Sequence, residues 1–130
     1  MATIPEQRAG ARAVDIDSLP SIYDGVIKLA RSSLGITAFG VQVIDLPPSY
    51  TTDSHDETAS GQEELYVALS GSGGVVLDDE SIPVAVGRLV VVAPECSRRL
   101  SSGPDGLRVL VVGSTPGQAY EPADWTEVQQ

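Results

Sequence analysis

Residues 62–74, QEELYVALSGSGG, decide the fold class. In an extended chain successive side chains point to opposite faces, so Glu64, Tyr66 and Ala68 share one side and Leu65, Val67 and Leu69 the other. Both sides are expected to be at least partly covered. The Gly71-Ser72-Gly73-Gly74 run reads as a turn between two strands, because no helix follows that would make it a phosphate loop. Working outward, short apolar stretches recur at residues 26–30, 36–46, 64–70, 74–78, 87–93 and 107–113. Turn formers divide them: Leu46-Pro47-Pro48-Ser49, Asp78-Asp79-Glu80-Ser81 and Ser102-Gly103-Pro104-Asp105-Gly106. That spacing predicts an all-β antiparallel sandwich or barrel, and no long amphipathic helix interrupts it. Residues 89–93 and 109–112 are apolar on both faces, as expected of strands between two sheets or lining an apolar barrel. Closing the barrel would hide their edges.

The whole chain has 130 residues, enough for one domain with its own core. Eighteen Asp and Glu against eight Lys and Arg give a formal charge of −10, which argues against nucleic-acid binding and against docking on an anionic membrane. Cys96 is the single cysteine, so no intrachain disulfide can form and a cytoplasmic location is expected. No secretory leader and no membrane span are expected. The organisation expected is an N-terminal arm over 1–20, a barrel domain over 21–115 and a C-terminal tail over 116–130. The arm is expected to be poorly ordered before Arg12 and to place Val14, Ile16 and Leu19 as an edge strand. Tyr120 and Trp125 would tuck the tail against the barrel.

The stretch 47–71, PPSYTTDSHDETASGQEELYVALSG, resembles the first motif of the cupin family, a double-stranded β-helix or jelly-roll barrel. That motif runs Gly, five residues, His-x-His, three or four residues, Glu, six residues, Gly. Here Ser49 stands at the first Gly, His55 at the first His, Glu57 at the second His, Glu64 at the Glu and Gly71 at the last Gly, with a gap from Glu57 to Glu64 two residues longer than usual. The second motif is present in outline from Gly87, with Ala93 and Glu95 at its Pro and Gly, Arg98 at its His and Ser102 at its Asn. A one-residue shift would select Arg99 instead. The segments LGITAFGVQVIDLPP and TPGQAYEPADWTE are similar to those of a single-domain bacterial cupin group.

The resemblance implies a barrel mouth lined by His55, Glu57, Glu64 and Arg98 or Arg99, and a homodimer by family habit. Metal-binding cupins hold one divalent ion on two His, a Glu and a further His. This chain keeps His55 and Glu64 of that set and has Glu57 at the second His, leaving one nitrogen and two carboxylates, which with water would suit Mn, Fe, Ni or Zn. An arginine at the fourth position has no lone pair to donate and repels a dication. It would pair with Glu57 or Glu64 or offer its fork to a substrate carboxylate or phosphate. The expected function is therefore small-molecule binding at a degenerate metal site, with a polar or anionic ligand and no cofactor. A metal-dependent dioxygenase or isomerase using His55, Glu57 and Glu64 is the alternative, and a structural or self-assembly role the third. Tyr66, on the Glu64 face, would supply a hydroxyl or serve as a core residue. A Cys96–His55 dyad lacks an orienting third group. The long segment 53–61 would gate the barrel.

Overall fold

The computed structural model describes residues 6–8 and 10–128. A hairpin opens the chain, β1 (Glu6–Arg8) on β2 (Ala11–Ala13), turning through Gly10 with φ +81°. Pairing thus begins ahead of Arg12, where poor order was expected; residues 1–5 and 9 of that expectation lie outside the described residues. A 3-10 turn at Ile16–Ser18 leads to β3 (Ser21–Ile22), β4 (Ile27–Lys28), the short helix α1 (Ala30–Leu34) and β5 (Gly40–Leu46). The barrel strands follow: β6 (Glu63–Val76), β7 (Ser81–Ala85), β8 (Leu89–Val92) and β9 (Arg99–Ser114), with a last 3-10 turn at Asp124–Thr126. One antiparallel sheet runs β3-β4-β5-β9-β6-β7, and β8 also pairs with β6.

Two long strands roll this sheet into a barrel. The first half of β6 lies between β8 and the second half of β9, with Leu65 opposite both Val91 and Val112. Its second half lies between β7 and the first half of β9, with Val75 opposite Ile82 and Leu100. The register shifts between Ala68 and Ser70 and between Gly71 and Gly73, where irregularities bend a strand and raise its twist. Side chains from both halves then meet in one core: Tyr66, Ala68, Val75, Val84, Val90, Val92, Leu100, Leu107, Val109 and Val111 are all buried.

Gly71-Ser72-Gly73-Gly74 is therefore part of β6, not a turn, and 64–70 with 74–78 are not two strands. Glycine is used there for backbone proximity. A Cβ at Gly73 would lie 2.0 Å from Ser101 O, and Gly71, at φ +73°, would place one 2.2 Å from Gly106 O. The turn expected at 102–106 is likewise an excursion inside β9, since pairing passes from Ser102 opposite Gly73 to Leu107 opposite Gly71. The strand expected at 26–30 shrinks to Ile27–Lys28, because Ala30 already starts α1. β7 was not foreseen; its Pro83 is tolerated because β7 is a sheet edge. Residues 89–93 are covered on one face only, with Val90 and Val92 buried and Leu89 and Val91 exposed.

The outer face of the β5–β9 half is covered by the arm and α1. Leu19, Ala30 and Val41 form a second buried cluster with Val14, Ile16, Ile36, Leu110 and Val112 against it. Residues 14–19 thus cross the face of the sheet instead of adding an edge strand. Ion pairs fix this cover. Arg108 donates to Asp45 (Nε–Oδ1 2.7 Å, Nη2–Oδ2 2.9 Å) and to Asp17 Oδ1 (2.6 Å). Arg31, buried on α1, donates to Ile36 O and to Glu127 Oε1, which ties the C-terminal tail to the helix. Tyr120 packs beside Gly40 as expected of the tail, whereas Trp125 is 55% exposed instead of tucked in. Among the described residues no helix is long and apolar enough to cross a membrane.

Candidate functional site

His55, Glu57, Glu64, Tyr66 and Arg98 come together at one end of the barrel, from three places in the chain. Glu64 and Tyr66 stand two apart on β6 and face inward with Ala68, the side that alternation assigns them. Residues 51–55 run against the start of β9, with Thr51 opposite Ser101 and His55 opposite Arg98. His55 N–H donates to Arg98 O (2.9 Å) and Arg98 N–H to His55 O (2.8 Å). One turn further, Glu57 N–H donates to Pro94 O (2.8 Å), so the segment expected to gate the barrel is tied to its rim at two points. Ser49, at the motif's glycine, has φ +54°, a left-handed conformation that glycine adopts most readily.

Alternation along the seam also settles which arginine faces inward. Arg98, Leu100 and Ser102 are buried while Arg99 is exposed. Arg99 lines a separate surface depression with Ser54, Val76, Leu77, Asp78 and Ser97, apart from the His55, Glu57 and Glu64 cluster. The antiparallel bridge between His55 and Arg98 fixes this choice. A residue the motif did not point to is Ser60, whose Oγ donates to Glu57 Oε1 (3.0 Å).

The cluster is a chain of alternating charges. Glu57 Oε2 lies 3.3 Å from His55 Nε2, and Glu64 Oε1 lies 3.7 Å from the same nitrogen. Glu64 Oε1 also accepts from Tyr66 Oη (2.9 Å) and stands 3.3 Å from Arg98 Nη2. Hydrogen bonding to Glu57 first, and to Glu64, pushes the His55 pKa up to about 9, so the ring is cationic at neutral pH. The His55 partner in turn holds the Glu57 carboxyl below its ordinary range. Burial raises the Tyr66 phenol, which keeps it a neutral donor. Asp56, between the two rim residues, turns away and accepts from Thr58 N (3.0 Å) and Oγ1 (2.8 Å).

Arg98 is the unusual member. It is 1% exposed, and its Nη1 donates to Cys96 O (2.8 Å). Its Nε and Nη2 have no aligned hydrogen-bond partner among the described residues; Glu64 is close enough to neutralise the guanidinium but not oriented to accept from it. Buried donors of this kind are rare, since an unmade bond to a charged group costs several kcal/mol. A divalent ion would find one donor atom each on His55, Glu57 and Glu64, all within 4.8 Å of one another. The spacing suits an ion. The charge does not require one, because His55 and Arg98 already balance the two carboxylates.

No family model matches the sequence, and comparison with curated proteins returns no match. Solved structures do match the fold. A cupin protein from Bacteroides fragilis is 28% identical, with a TM-score of 0.61 over 78% of this chain and 86% of that one. The chain has the cupin fold. Two more distant cupin structures share its fold. One is a sugar phosphate isomerase of the cupin superfamily from Silicibacter pomeroyi, 20% identical, covering 78% of this chain and 74% of that one with a TM-score of 0.60. The other is KdgF from Halomonas sp., 10% identical, covering 68% and 74% with a TM-score of 0.56. Both all-β class and jelly-roll architecture agree with the motif reading.

Proposed function

We propose that this cupin binds a small polar or anionic molecule at the barrel rim, using the His55, Glu57, Glu64, Tyr66 and Arg98 cluster without a metal. The observation that carries this reading is the buried Arg98 guanidinium. Its Nε and Nη2 form the edge that grips an oxygen pair side by side, and that edge lacks an aligned acceptor. His55, half-exposed, and Glu57 stand on the solvent side, where a ligand would arrive first. The core side chains fill the barrel below, so the ligand is small. Tyr66 and Glu64 would orient it, one donating and one accepting.

A thermal-shift screen of small carboxylic acids, phosphates and sugar acids tests the reading, run on wild type beside Glu57→Gln and His55→Gln. A hit that stabilises wild type and loses at least about tenfold in affinity in either variant supports it. Hits that bind all three proteins equally would remove the cluster from the binding site.

The convergence of three donor atoms within 4.8 Å favours a second reading, a metal-dependent enzyme of the dioxygenase or isomerase type. The isomerase among its structural neighbours is consistent with such chemistry on this fold. His55, Glu57 and Glu64 would hold the ion, and water would complete its coordination. Elemental analysis of protein purified without chelator separates the two. Near-stoichiometric Mn, Fe, Ni or Zn that disappears in His55→Ala would replace the first reading by the second.

A further inference from the structure

The four charged groups of the rim are ordered by depth. Their side chains are 0% exposed at Arg98, 15% at Glu64, 24% at Glu57 and 51% at His55. A molecule entering from solvent therefore meets His55 and two carboxylates before it reaches the guanidinium. The innermost pair is also close, with Glu64 Oε1 3.3 Å from Arg98 Nη2.

A ligand has to answer both members of that pair at once. The Nε and Nη2 edge of Arg98 has no aligned acceptor, and two parallel N–H donors call for the two oxygens of one carboxylate. A simple carboxylate seated there would lie against Glu64, and like charges in a buried place repel strongly. Glu64 is held where it is. Its Oε1 accepts from Tyr66 Oη (2.9 Å) and is the atom that faces both Arg98 Nη2 and His55 Nε2. Its other oxygen, Oε2, is thereby left to receive a donor from the ligand. Glu57, one step nearer solvent, is a second acid on the same path. Two donors without acceptors beside a surplus of acceptors are the complement of a molecule that carries a positive group next to its own carboxylate. The long-range field agrees, because a chain with a formal charge of −10 repels a free anion and leaves a zwitterion, which has no net charge, free to approach. Since the guanidinium and Glu64 are adjacent, the two charges of the ligand must be adjacent as well.

Given the rim binding proposed for this protein, we infer that its ligand is a small zwitterion of the α-amino acid class, carboxylate on Arg98 Nε and Nη2 and ammonium on Glu64. Without that rim site the assignment has no footing.

Calorimetry near neutral pH tests the charge pattern on the wild-type protein, with glycine, alanine and serine set beside acetate, propionate and β-hydroxypropionate at up to about 20 mM, since so few atoms limit affinity. At least one amino acid is expected to bind at least about tenfold more tightly than its deamino partner. γ-Aminobutyrate, whose charges stand too far apart to meet both groups, is expected to lose that gain. Glu64→Gln is expected to weaken the amino acid at least about tenfold while its deamino partner binds equally or more tightly. A general loosening of the rim would weaken both, so the opposite responses report recognition. Deamino acids that bind as well as the amino acids, and lose affinity in Glu57→Gln or His55→Gln, overturn the zwitterion and leave rim binding intact. Binding that Glu57→Gln and His55→Gln both leave unchanged removes the rim site itself, and the inference with it. Failure of all three amino acids to bind, or indifference of their binding to Glu64→Gln, also overturns it.

Discussion

His55 is the single histidine, so its imidazole resonance can be followed without assignment. Hydrogen bonds to Glu57 and Glu64 hold its pKa at about 9 against an ordinary 6.5. An NMR titration is expected to show that midpoint, and Glu57→Gln to bring it back towards 6.5. The linked stability has a defined sign. Because the folded pKa is raised, the stabilisation from protonated His55 is full below about pH 6.5 and is lost as pH climbs through 9. Glu57, held low, contributes above its unfolded value and loses its contribution in acid. The pair therefore contributes most from mildly acidic to neutral pH. Its half-exposed position keeps the effect modest, since solvent screens it. Arg98 gives the sharper test at this scale. Arg98→His exchanges a buried cation for a fourth donor and is expected to bind Zn or Ni at least about tenfold more tightly than wild type by calorimetry. Equal or weaker binding would show that the guanidinium is not what opposes an ion.

Among the elements, β6 depends on residues that look like punctuation. Gly73→Ala would drive a Cβ to 2.0 Å from Ser101 O, and the two strands must separate to admit it. A loss of about 1–3 kcal/mol or more in urea unfolding is expected, the range for overpacking a tight contact. A change under about 0.5 kcal/mol would mean that the crossing is looser than its distances. The same residues show where sequence reading stops. Alternation in Glu64 to Leu69 placed each side chain on its correct face, because one face of that strand is buried and register is then strongly specified. Gly71 to Gly74 misled, since glycine marks both a turn and a close backbone crossing, and only the partner strand tells them apart. β8 misled for a different reason: Leu89 and Val91 are as apolar as buried residues, and hydrophobicity alone does not say which faces have a cover. The choice between Arg98 and Arg99 needed the pairing with His55, a contact over forty residues away that no local pattern announces. β7 escaped notice because Pro83 breaks the pattern of a strand while being harmless on an edge.

For the whole molecule, the arm and tail are fastened by arginines far away in sequence. Arg108 joins Asp17 in the arm to Asp45 on β5, and Arg31 joins α1 to Glu127. None of these pairs was readable in advance, since a charge on a strand or short helix looks like ordinary surface. Arg108→Ala is expected to loosen the arm before the barrel. Amide exchange over residues 14–19 should quicken at least about tenfold while Val75 and Val109, at the centre of the core, keep their protection. Uniform acceleration across the chain would show instead that cover and barrel unfold as one unit. The single thiol offers one more use of this architecture. Cys96 is exposed, yet its own carbonyl receives the hydrogen bond from the buried guanidinium of Arg98. A fluorophore attached to that sulfur would sit in water while its backbone is held by the innermost charge of the rim, so it would serve as an optical reporter of the proposed binding with His55, Glu57, Glu64, Tyr66 and Arg98 all left unaltered.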